Sequence, residues 1–457
     1  VCSLIFFIQK KKEIMKKIFL AGAGKSATVL INYLLERAHK NRWQITIADG
    51  NEKMLAGKVK DHPAARKVVL DITNQRQRKE LVSESDLVIS LMPPQLHYLL
   101  AQDCLHYRKH LITSSYVSPE IRAMDEAAKA AGVMLMCEMG LDPGIDHMIA
   151  SHIIHSIRRI TGDIISFKSY CGGLIAPEDD DNSWHYKFCW NPRNIILAGR
   201  DGGQYLHRGK TVQIPYERLF EDTDKVPIEG LGTLASYANR DSLHYLSLYD
   251  LPEAQTFLRA TLRYPDFCKG WHALVRLGLT TPNDRHETAG MTYWTWLAGK
   301  TAYTGPVEGL PEYLAHKLHV RPESKLMRML EELDLWGNTP LRPGVMSSAD
   351  ILLELLQEKW KMESWEKDMV VMQHEVVYLH KKKENKLIST MVLKGEDREF
   401  SAMAKTVGLP IGILAKLLLN GQVAPLPGVQ IPVMPAIYRP VLKQLEHYDI
   451  RFVDTPV

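Results

Sequence analysis

Apolar and polar positions fall into short, regular blocks from Met15 onward. An apolar run from Ile18 to Ala21 enters a glycine turn, Gly22-Ala23-Gly24-Lys25-Ser26-Ala27. Apolar residues at helical spacing follow as far as Arg37, and a second apolar run, QITIAD, ends at Asp49. The pattern predicts strand, turn, helix and strand in succession. Further strands are predicted at 67–72, 85–92, 110–115 and 133–139, with helical stretches such as 119–132 between them. Such alternation predicts an α/β fold with a doubly wound parallel sheet of Rossmann type.

From about residue 147 the pattern changes to a helix followed by extended pieces, which predicts a second α/β domain. We expect a dinucleotide-binding Rossmann domain over 15–146 and an α/β substrate and catalytic domain over 147–251 and 361–400. A mostly helical insertion is expected over 252–360, and a C-terminal helix and tail over 401–457, placed to pack back on the Rossmann domain. The runs DMVVMQHEVVYLH and KLISTMVLKG flank Lys381-Lys382-Lys383 and read as a hairpin. Residues 1–14 precede MKKIFLAGAG and read as a non-native extension. The run LIFFI is too short for a signal peptide and lacks a basic segment ahead of it.

The glycine turn carries the first chemistry. Gly22 permits the tight turn, Gly24 lets backbone amides approach a pyrophosphate, and the small Ala27 lets helix pack on strand. Ala23, Lys25 and Ser26 complete the phosphate-facing loop. Asp49 ends the second strand, where an acid accepts the ribose hydroxyls of an adenosine. No arginine stands beside it and Lys53 is the first cation after it, so NAD is favoured over NADP. Ligands of doubly wound sheets sit beyond the strand C-termini. Asp71, Ile72, Met92, Ser114, Ser115, Leu141, Asp142 and Pro143 fall at such ends and complete the expected cofactor set.

Composition narrows the class. The chain has 457 residues, 45% hydrophobic and 24% charged, enough for two or three domains with real cores. The net charge of +4 comes from scattered cations, which does not point to nucleic acid. Six cysteines show no CxxC pair and no metal spacing, so they read as reduced thiols of a cytoplasmic protein with no metal site. The acids of PEDDDN lack hard-ion spacing and are expected to order their loop or meet an amine. No segment reads as the roughly 18 apolar residues of a membrane helix.

SSYVSPE (114–120), GLDPGIDH (140–147), SYCGGLIAPEDDDN (169–182), YKFCWNPR (186–193), ANRDS (238–242) and TLRYPDFC (261–268) together resemble the glutamate-forming saccharopine dehydrogenases, also called saccharopine reductases. The resemblance runs from about residue 16 to 457. It implies oxidation of a secondary amine to an imine by hydride transfer to NAD or NADP, then hydrolysis to glutamate and aminoadipate semialdehyde. It also implies that Arg240 and Arg263 hold substrate carboxylates, with Thr261 and Leu262 against the substrate. Asn191 stands where the family commonly has a serine, and its amide can still donate to substrate. Ser115 and Tyr116 are expected where substrate and cofactor lie side by side. Asp142 and Tyr116 are the candidate proton-handling groups, and Cys171 lines the site as a further catalytic candidate. Asp146 is expected to be a helix cap.

Two other readings stay open: a sister reductase of another carboxyalkyl amine such as carboxynorspermidine, and a non-catalytic dinucleotide-binding sensor. A homodimer would find surface on the helical stretch 252–360.

Overall fold

Strand β1 (Lys16–Ala21) is buried along its whole apolar run, as a strand covered on both faces must be. The computed structural model describes residues 15–59 and 61–457, so the expected extension 1–14 lies outside the described residues. With β1 go β2 (Trp43–Asp49), β3 (Ala65–Val69), β4 (Leu87–Ser90), β5 (His110–Thr113) and β6 (Met134–Met136), all parallel. A short strand from the C-terminal part, Gly428–Gln430, adds to β6, and the sheet order is Gly428–Gln430, β6, β5, β4, β1, β2, β3. The chain runs outward from β1 to β3, then returns to the other side of β1 as β4. The order reverses there, which opens a crevice at the strand C-termini. The predicted strands are therefore present, though three of them, at 85–92, 110–115 and 133–139, are two to four residues shorter than predicted.

This sheet and its helices form one compact unit, residues up to His147 together with Ala404–Gln444. Helix Ala402–Leu419 is long and apolar enough to cross a membrane by length and composition, which corrects the expectation that no such segment exists. Most of it is buried in protein. At Gly408 a side chain would come within 3.0 Å of the Leu30 backbone, so its apolarity serves close packing on helix Thr28–Asn41.

The second unit comprises Met148–Met403 and Leu445–Val457. A ten-stranded sheet runs through it in the order 224–228, 232–238, 256–263, β7 (Asp163–Ile175), 368–380, 383–394 and 453–456, with shorter strands at 203–207, 210–214 and 240–241 attached. The expected hairpin 368–394 turns through Lys381 and Lys382, both at positive φ (51° and 62°). One cluster of buried side chains links this sheet to the helices of 265–359, among them Trp184, Tyr186, Phe267, Trp271 and Trp360.

The stretch 252–360 is not helical throughout. Thr256–Arg263 is a strand in the middle of the sheet, parallel to β7. Its near-continuous burial obscures the period-2 signal, and Pro265 starts the following helix.

In the first unit, Arg78 Nε donates to Asp103 Oδ2 at 2.6 Å with both side chains buried, while Arg78 Nη1 donates to the Ile72 carbonyl at the end of a strand-following turn. Arg78→Ala leaves Asp103 buried and alone, and is expected to cost about 3–5 kcal/mol. Arg78→Met with Asp103→Leu is expected to cost much less. Hydrogen exchange of the β1 and β4 amides checks both, and equal losses would refute the pairing argument.

Candidate active site

The glycine turn leaves β1 at the crevice. Gly22 has φ of 102°, and a Cβ there would lie 2.8 Å from the Leu91 carbonyl, so neither its conformation nor its space admits a side chain. Gly24 differs: a Cβ there would meet no protein atom within 4 Å, and it would project into open space beside the turn. A short 3₁₀ turn, Lys25–Ala27, leads into helix Thr28–Asn41. Asp49 Oδ2 accepts from Ala23 N and Oδ1 from Asn51 N, each at 2.8 Å. Its carboxylate thus clamps the glycine turn to the end of β2. Lys58 donates to the Gly24 carbonyl from the other side. Asp71 likewise uses one oxygen locally, accepting from Thr73 N and Oγ1, and these bonds hold its carboxyl below the usual range. Ile72 is buried and Met92 half-buried.

Two loops meet at the ends of β5 and β6. Tyr116 donates from its hydroxyl to Asp142 Oδ1 at 3.2 Å, which brings together the two candidate proton-handling groups. Gly140 N donates to Pro143 O, and Ile145 N back to Gly140 O, so Leu141, Asp142 and Pro143 form a tight loop. A Cβ at Gly144 would lie 2.1 Å from the Gly140 carbonyl oxygen. Asp146, expected to be a helix cap, is instead the second residue of helix Ile145–Arg159, and its Oδ1 accepts from Gly144 N at 2.6 Å, bracing the turn that enters the helix. Ser118 caps its helix as expected, accepting from Ile121 N.

Sequence reasoning missed the group that ties these loops together. Glu138 is buried at positive φ (56°), with Oε1 accepting from Val117 N at 3.1 Å and Oε2 lying 2.8 Å from His147 Nε2. Both loops are thereby held by one carboxylate. A polar residue closing an otherwise apolar strand, VMLMCEM, was the available signal.

His97 was missed as well. It opens helix His97–Tyr107, and its side chain lies 2.7 Å from both Ser90 Oγ and Ser115 Oγ, through Nδ1 and Nε2 respectively. Burial lowers its pKa from 6.5 to about 4, so it is neutral near pH 7.

In the second unit, Arg263 is 4% exposed. Nη1 donates to the Leu262 and Gly173 carbonyls at 2.9 and 3.3 Å, while Nε has no hydrogen-bond partner among the described residues. The guanidinium carbon lies 5.3 and 5.5 Å from the ring centres of Tyr186 and Phe267. Among the described residues no carboxylate lies within 4.0 Å of it. A buried guanidinium ringed by aromatics and thiols is a carboxylate-seeking group. Leu262 is buried with its carbonyl against Arg263, and Thr261 pairs in register with Cys171, itself buried.

Arg240, by contrast, is exposed at φ 52° on the short strand beside 203–207. Asn191 is exposed and its side-chain Oδ1 accepts from Arg193 N as a helix cap, so the expected substrate contact competes with a structural role. The acids of PEDDDN pin their own loop. Asp179 accepts from Lys367 N, Asp180 lies 2.7 Å from His185 Nδ1, and Asp181 pairs with Lys187.

The open space at Gly24, the turn beside it and the strand ends fit a dinucleotide. Family models divide the chain similarly. Residues 18–136 match the saccharopine dehydrogenase NADP binding domain, and 140–450 match the saccharopine dehydrogenase C-terminal domain. The chain belongs to the saccharopine dehydrogenase family. It is 32% identical over 446 residues to "Saccharopine dehydrogenase [NADP(+), L-glutamate-forming]" of Schizosaccharomyces pombe, covering 96% of this chain and 98% of that protein. It is 34% identical to the mitochondrial alpha-aminoadipic semialdehyde synthase of Mus musculus over 96% of this chain, but only 47% of that longer protein. The solved apo saccharopine dehydrogenase (L-Glu forming) of Saccharomyces cerevisiae superimposes with a TM-score of 0.86 at 30% identity, covering 97% of this chain and all of that one.

As a member of the saccharopine dehydrogenase family the chain is a nicotinamide-dinucleotide-dependent oxidoreductase acting at a CH–NH bond. The expected NAD preference is corrected, because the matching domain and the fungal relatives are NADP proteins by description. In the structure Asp49 directs its oxygens at Ala23 N and Asn51 N, bracing the turn.

His97 makes one stability prediction. Its pKa is about 4 in the fold and near 6.5 in the open chain, so between those values the unfolded state binds more protons. Stability therefore falls as pH drops through this window, by up to about 3 kcal/mol. Denaturation of wild type and His97→Leu between pH 7 and 4 measures it; parallel pH dependence in the two proteins would disprove it.

Proposed function

We propose that this protein interconverts saccharopine with glutamate and aminoadipate semialdehyde, using NADP. When bound, the nicotinamide accepts or donates the hydride; the remaining work falls to the chain's own side chains. The observation carrying the reading is the buried Arg263 guanidinium, with an open Nε and no acid beside it among the described residues. Saccharopine carries several carboxylates, and a desolvated guanidinium binds one far more strongly than a surface arginine does. Arg240 would take another carboxylate from its exposed position.

Asp142 and Tyr116 share a hydrogen bond, so a proton at the substrate amine has a carboxylate acceptor and a phenol to relay it. Asp142 also suits the water that splits the imine. Cys171 and Thr261, paired across two strands, line the site without a covalent role, because neither hydride transfer nor imine hydrolysis calls for one. The Gly22–Ser26 turn would hold the pyrophosphate. Lys53, in the helix that starts just after Asn51, offers a cation for the NADP phosphate.

Absorbance at 340 nm, followed with saccharopine and either NADP or NAD, tests the reading. Turnover with NADP at far lower cofactor concentration is expected, and no turnover with either cofactor would refute it. Arg263→Ala should raise the saccharopine KM at least about 30-fold, since it removes one partner of a desolvated charge pair. NADPH affinity, read by fluorescence, should stay within about twofold. Equal loss of both would mark Arg263 as structural.

A further inference from the structure

We propose that His97 is a positioning residue that fixes the Ser115 hydroxyl as a hydrogen-bond donor to ligand; this rests on the reading of Ser115 as a ligand-contacting residue. The geometry is a short buried chain, Ser90 Oγ to His97 Nδ1 and His97 Nε2 to Ser115 Oγ, with 2.7 Å at each link. Thr113 Oγ1 flanks the ring at 3.3 and 3.2 Å from the two nitrogens.

A neutral imidazole has one donor and one acceptor, so the two serines must play opposite parts. Ser90 decides which. It is fully buried on β4, and its hydroxyl has no hydrogen-bond partner other than His97 among the described residues. A buried hydroxyl hydrogen needs an acceptor, so Ser90 donates to Nδ1. The proton then sits on Nε2, which donates to Ser115 Oγ. That lone pair is occupied, and the Ser115 hydrogen is directed elsewhere. Ser115 is half-buried at the strand-end loop, with Tyr116 beside it, and its Oγ has no other partner among the described residues. An oxygen of a carboxylate or a ribose is the ligand group that such a donor recognises. Had Nδ1 carried the proton, Ser115 would donate inward and offer only lone pairs, which a carboxylate repels. Burial also keeps the ring neutral, so the arrangement survives across the neutral range.

The test is a double-mutant cycle on Ser115→Ala and His97→Leu, with His97→Gln as the conservative variant, whose amide nitrogen stands in for Nε2. Ser115→Ala and His97→Leu should each lower kcat/KM roughly 10- to 100-fold, and the double variant no further. His97→Gln should retain activity within about threefold. Nitrogen-15 spectra of histidine-labelled enzyme, with the His97 signal identified by its loss in the Gln variant, should show the Nε2–H tautomer at neutral pH. That measurement holds even if a variant folds poorly. An Nδ1–H tautomer, additive losses, or full activity in His97→Leu alongside an impaired Ser115→Ala would overturn the role of His97 alone. Full activity in Ser115→Ala would overturn the ligand role of Ser115, and the inference with it.

Discussion

Reversal of strand order at β1 and β4 is the constraint on which the first unit depends. Leu91 N donates to the Ala21 carbonyl and Gly22 N to the Ala48 carbonyl, each at 2.8 Å. The parallel ladder therefore runs to its last available bond before the chains part. Beyond that point the loops diverge to opposite sides, as the reversal of strand order requires. Each strand-end residue proposed to face the cofactor is placed by how far its strand runs before it leaves the sheet. Gly22 must lack a side chain because the Leu91 carbonyl stands where a Cβ would go.

Buried polar groups then decide which loops are rigid. Glu138 joins Val117 to His147, His97 joins Ser90 to Ser115, and Asp49 joins Ala23 to Asn51. Each of the three is met by two partners, and for the buried Glu138 and His97 loosening either partner strands a polar atom. The second unit contains the complementary case. Arg263 is held by two carbonyls and two rings, and its Nε has no hydrogen-bond partner among the described residues, the feature on which its proposed ligand role rests.

Much of this was legible in the chain. The strand-turn-helix at Met15, the hairpin around Lys381 and the Ser118 cap all follow from local periodicity and turn chemistry, which act over a few residues. Arg263 and Asp142 were legible through their neighbouring motifs. The strand 256–263 was not, because burial on both faces removes the alternation that marks a strand. Asp49 misled for a related reason. Its position at the end of β2 was right, but the direction of its oxygens depends on the glycine turn returning beside it.

By itself, then, the sequence determined most of the secondary-structure order, the strand 256–263 excepted, together with the glycine turn and the family of chemistry, since these rest on backbone preferences and motif spacing. Only the tertiary structure decided that Asp49 braces a turn, that Asn191 caps a helix, and that His97 and Glu138 link the strand-end loops. A hydrogen bond between residues far apart in sequence depends on distance and direction in space, and neither is encoded in residue type. The Ser90–His97–Ser115 chain exists because two strand ends and one helix start converge around a buried imidazole.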